Sequence, residues 1–131
     1  MDHDKADDIG KLVLRLTLGI LILFHGMPKL VAGVGGIAAM LEGIGLPTFI
    51  AYGVYLGEVL GPALLIIGWY ARVGAGLVAI NMLFAVGLAH RAEILALGDS
   101  GAWALELQGM FLFTAIALLL TGPGRLAING R

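Results

Sequence analysis

The stretch KLVLRLTLGILILFHGMPKL, running from Lys11 to Leu30, decides the fold. Roughly twenty helical residues, at a rise of about 1.5 Å each, cross a hydrocarbon core about 30 Å thick, and this run is that long and almost wholly apolar. Three more runs match it: about Thr48 to Gly68, Val73 to Arg91, and Trp103 to Thr121. In lipid every backbone N–H and C=O must be satisfied within the protein, which leaves helices or a closed barrel. None of the four runs shows the period-two alternation of a barrel strand, so helices are expected. The reading is an all-α integral membrane four-helix bundle, one transmembrane domain over residues 1–131.

Composition supports this from another direction. The chain is 60% hydrophobic and 13% charged, with mean hydropathy +0.98, and a soluble domain of 131 residues cannot hide that much apolar surface. A net charge of −1 supplies no basic face, so nucleic acid is not expected as a partner. With no cysteine, the chain has no disulfide, no thiol redox motif and no thiolate-held metal or iron–sulfur cluster. The first apolar run is too long for the core of a signal peptide, so no cleaved leader is expected. Met1 to Asp8 reads as a short solvated tail.

Between the first two runs, Ile37 to Glu42 fits a short interfacial helix stopped by Gly45-Leu46-Pro47. The link at Trp69 to Arg72 is tight, which makes the second and third helices antiparallel neighbours. Gly98-Asp99-Ser100-Gly101 marks the third turn. Trp69, Tyr70 and Trp103 fall where interfacial aromatic anchors belong. Lys5, Lys11, Arg72, Arg125 and Arg131 share one side with Arg15 just inside, against Lys29 and Arg91 on the other. By the positive-inside rule both termini face the cytoplasm. The expected location is the inner or plasma membrane of a bacterium or archaeon, as a multi-pass protein.

Ionisable groups inside a span are costly and need a partner or a use. Counting at the helical rise from the cytoplasmic boundary, Glu58 lies near ~15 Å, His25 near ~21 Å, Glu106 near ~25 Å, and Lys29 and His90 near ~27 Å. Each helix therefore sends a polar group into the outer half, and His25, Lys29, Glu58, His90 and Glu106 are the candidate ligand-binding residues. The inner half has only Arg15, expected to snorkel, and reads as plain packing. Pro62 cannot donate to the carbonyl of Glu58, so the helix should loosen at the glutamate. Gly53, Gly57 and Gly61 make two overlapping G-x-x-x-G steps, suited to close packing within the bundle or between protomers of a homo-oligomer. Asn81 reads as interhelical glue.

The stretch Phe24-His25-Gly26-Met27-Pro28-Lys29-Leu30 resembles the His-Gly-x-x-Lys-Leu segment of the DoxX family. Gly45-Leu46-Pro47, Glu58 and the ending Leu120-Thr121-Gly122-Pro123-Gly124-Arg125-Leu126 are similar too, in order and spacing, over nearly the whole chain. The resemblance implies a four-helix membrane protein described as an oxidoreductase subunit. The family name comes from a subunit of a thiosulfate:quinone oxidoreductase, and other relatives are linked to thiol and oxidative-stress systems. A quinone-linked redox subunit with a partner protein is the leading expectation, its carbonyls served by His25, Glu58, His90 and Glu106 and its anionic form by Lys29. Two alternatives stand beside it. One is a haem or metal site with His25 and His90 as ligands. The other is a non-enzymatic scaffold, proton path or small transporter, although no inverted repeat is evident.

Overall fold

The computed structural model describes residues 2–89, 94–98 and 101–129. Among the described residues five α-helices run α1 (His3–Ala32), α2 (Gly35–Gly43), α3 (Gly61–Ile67), α4 (Ala71–Ala89) and α5 (Glu106–Thr121). Among the described residues the only extended pairing is an isolated bridge between Leu97 and Trp103. Three helical segments among the described residues, His3–Ala32, Thr48–Ile67 and Ala71–Leu88, are long and apolar enough to cross a membrane. The apolar α5 is shorter, at 16 residues.

Helix α1 begins earlier than the expected span. Asp2 caps it by accepting the Lys5 N–H at 2.7 Å, so the short tail, exposed as expected over residues 2–7, forms its first turns. It continues through Pro28 and stops at Gly33, whose φ of +86° suits a residue without Cβ. Conversely, α5 begins later than Trp103. The indole Nε1 donates to the Ile94 carbonyl at 2.6 Å, and Ala104 N–H donates to Ala96 at 3.0 Å, holding that stretch in a turn.

The second apolar segment is the most irregular. It opens as a 3₁₀ helix over Thr48–Gly53, widens to a π turn over Leu56–Leu60, and becomes α3 at Gly61. The loosening expected from Pro62 thus takes the form of a π turn, with Gly61 N–H donating to Leu56 five residues back. The G-x-x-x-G glycines are used within the chain. A Cβ on Gly57 would collide with the Asn81 side chain, and one on Gly61 would lie 3.0 Å from the Gly74 carbonyl. Gly53 faces open space instead.

Helix α4 is central, packed against α3, α5 and the π turn, while α1 lies across α3 and the π turn. Leu18, Ile22, Leu65, Ala75, Val78, Phe111 and Ala115 form the larger apolar core. Val34, Leu41, Ala51 and Val54 form a second, where α2 meets the 3₁₀ segment.

The end of the molecule that carries both termini is not plain packing, and Arg15 does not snorkel. Arg15 is only 1% exposed; its guanidinium donates to the Leu65 carbonyl at 2.9 Å and the Leu126 carbonyl at 2.5 Å. The first belongs to the last turn of α3, where helical carbonyls have no partner of their own. The second arrives because residues 122–129 fold back under the helices. Arg125 joins Asp8 there by its backbone N–H (2.9 Å) and its Nε (2.6 Å). Asn129 closes the strap, donating its N–H to the Gly68 carbonyl (3.2 Å) and accepting the Tyr70 N–H (3.0 Å).

Candidate functional site

Between the two cores, α1, the π turn and α4 bring three polar side chains to one point. Glu58 is 5% exposed and both its oxygens are engaged: Lys29 Nζ donates to Oε1 at 2.5 Å and Asn81 Nδ2 to Oε2 at 3.0 Å. The Asn81 orientation follows from chemistry, because a carboxylate facing a lysine ammonium can only accept. Each partner is positioned by its own helix. Lys29 sits in the last turn of α1, where its carbonyl accepts both the Gly33 N–H (2.8 Å) and the Tyr55 hydroxyl (2.7 Å). Asn81 is pressed against Gly57, and the backbone of Glu58 lies so close to Gly26 that no Cβ would fit. Gly26 in the His-Gly-x-x-Lys-Leu stretch is therefore the residue that lets α1 approach the glutamate.

The triad forms part of the wall of a cavity of about 400 Å³. Its other walls are apolar: Ile37, Met40 and Leu41 from α2, Val54 and Leu56 from the second segment, and Leu77, Ile80, Phe84 and Leu88 from α4. Met40, Leu56, Ile80 and Phe84 line the cavity and remain exposed, so it is open rather than sealed. An apolar chamber of this size with a few convergent polar groups is the usual form of a small-molecule site.

The structure divides the five sequence-predicted residues. Lys29 and Glu58 come together. His25 is exposed and points toward α5, its ring 5.5 Å from Phe111 at 87°, its Nδ1–H donating to the Leu21 carbonyl at 3.0 Å. Glu106 is exposed in the first turn of α5 and does not line the cavity. His90 lies outside the described residues, as do Arg91 and Glu93. Equal depth along a helix does not fix direction around it, which is why residues at one level part company. Asn81, expected from the sequence as interhelical glue and not as a site residue, does bridge two helices, and by bonding Glu58 it joins the site; its signal was an amide near mid-span, at the level of Glu58. Among the described residues no three His, Cys, Asp or Glu side chains gather as metal ligands.

The family model described as DoxX matches residues 10–91, which contain all three members of the triad. Over 126 residues the chain is 31% identical to "Putative oxidoreductase CatD" of Bacillus subtilis (strain 168), covering 96% of this chain and 89% of that protein. No solved structure matches the chain significantly. With a family model over more than half its length and a relative aligned nearly end to end, the chain belongs to the DoxX family.

Proposed function

We propose that this protein is a multi-pass membrane subunit of a redox system that holds a quinone-type ligand beside Lys29, Glu58 and Asn81. In this reading four segments cross the bilayer, α2 lies at the outer interface, both termini are cytoplasmic, and the whole chain is one transmembrane domain of an inner or plasma membrane. The three long apolar helices, the apolar α5 and the surplus of positive charge on the terminal side support that arrangement.

One observation carries the ligand site: a buried carboxylate with both oxygens held from two other helices, on the wall of an open apolar cavity. An ion pair kept only for packing needs no chamber beside it, and replacing such a pair by apolar side chains is often neutral or stabilising. In this reading the opening faces lipid, so a molecule soluble in lipid reaches it without leaving the bilayer. Quinone is favoured by the family and by the oxidoreductase in the relative's name. Lacking cysteine, the chain supplies no thiol or thiolate-held cluster, so electrons come from a partner protein or a bound cofactor. His25 and Glu106 are assigned no ligand contact here.

The test is extraction in native nanodiscs followed by mass spectrometry of what is retained. A quinone enriched with the wild type and absent from Lys29→Met supports the reading. No enrichment over bulk lipid, or equal enrichment in Lys29→Met, contradicts it.

A further inference from the structure

The polar end of the site is only partly used by the protein itself. Glu58 takes one N–H from Lys29 and one from Asn81. An ammonium has three N–H groups and a primary amide has two, plus a carbonyl oxygen. The remaining Lys29 donors and the Asn81 Oδ1 acceptor have no partner among the described residues, and both residues line the cavity. Glu58, at 6% side-chain exposure, is the group behind them that holds both. The chamber therefore offers a donor and an acceptor side by side, fixed to the two oxygens of one carboxylate.

We infer that the site takes the hydroxyl-bearing form of an apolar ring, a phenol or quinol, in preference to its carbonyl or ether counterpart. This rests on the quinone-type reading above and refines it. A ring hydroxyl accepts from Lys29 and donates to Asn81 Oδ1, so both open functions are satisfied. A quinone carbonyl or an aryl ether accepts from Lys29 but leaves Oδ1 unpaired in an apolar chamber, and an unsatisfied buried acceptor is the costly case. Lys29 and Asn81 are then the ligand contacts, and Glu58 is a positioning residue that acts through them.

The experiment is equilibrium binding to the full chain in nanodiscs at neutral pH, with three probes: 4-decylphenol, its methyl ether, and decylbenzoquinone. The expected result is that the phenol binds about tenfold more tightly than the ether, the usual scale of one lost hydrogen bond. Asn81→Leu is expected to remove that preference, bringing the phenol-to-ether affinity ratio to about one, a loss of discrimination that a merely structural role would not produce. Should Asn81→Leu fail to fold, the wild-type phenol-to-ether ratio decides alone. Equal binding of phenol and ether overturns the inference, and if decylbenzoquinone binds in that case the quinone-type reading survives. Binding of none of the three overturns both.

Discussion

Among the described residues Asp8, Arg15 and Glu58 are the buried charged side chains, and the two that lie deeper along the apolar helices, Glu58 and Arg15, differ in what they can be used for. Arg15 is spent on two backbone carbonyls, so its replacement should be felt as stability. Arg15→Met leaves the Leu65 and Leu126 carbonyls without their donor, and a loss of about 2 kcal/mol is expected from denaturant unfolding in detergent. Arg15→Lys should not restore it, since one ammonium lacks the fork that reaches both carbonyls. Glu58 is different, because removing either partner strands the other. Glu58→Leu alone should cost about 3 kcal/mol, whereas Glu58→Leu combined with Lys29→Met should cost less than the single change, which a double-mutant cycle measures. The sequence made Glu58 and Lys29 conspicuous, since charges within apolar runs stand out. It could not show that Arg15 is buried, because the carbonyl that helps bury it lies 111 residues away in a tail of ordinary loop composition.

At the level of elements, apolar length predicted the helical segments well, and their ends less well. The π turn was legible as a disturbance, because Pro62 removes a donor four residues after Glu58, but proline does not dictate how the chain absorbs it. Close approach was legible only in part. The G-x-x-x-G pattern drew attention to Gly57 and Gly61, while Gly26 and Gly19 make the contacts of α1 with the second segment. A Cβ on Gly26 would strike the Glu58 carbonyl, and backbone cannot move aside as a flexible side chain can. Gly26→Ala is therefore expected to destabilise by about 1–3 kcal/mol and to weaken ligand retention, with Gly10→Ala, where nothing lies nearby, as the neutral control. Thermal unfolding and native mass spectrometry of the two variants check this.

At the scale of the whole molecule, a terminal strap closes one end and a cavity opens near the other end of α1. The Arg125 N–H, then its guanidinium, and beyond it Lys11, hold the Asp8 carboxyl below its ordinary value of 3.8. A depressed carboxylate contributes its stability above that ordinary value and loses it as pH falls through the folded one. The strap should thus loosen in acid and stay latched at neutral pH, and Asp8→Asn should expose residues 122–129 to carboxypeptidase already at pH 7. The absence of cysteine makes topology directly testable: single cysteines at Ala6 and Arg125 should be labelled from the cytoplasmic side, and at Gly45 and Gly98 from the other. The central claim, that the chamber beside Lys29, Glu58 and Asn81 is a ligand site, is tested most directly by filling it. Gly53 lines the cavity with no atom within 4 Å of an added Cβ, so Gly53→Leu adds bulk at the cavity wall with no clash at its Cβ. Binding of decylbenzoquinone to the wild type, with loss of at least about tenfold in affinity in a fully folded Gly53→Leu, is the predicted result. Undiminished binding by folded Gly53→Leu would place the ligand elsewhere and contradict the account.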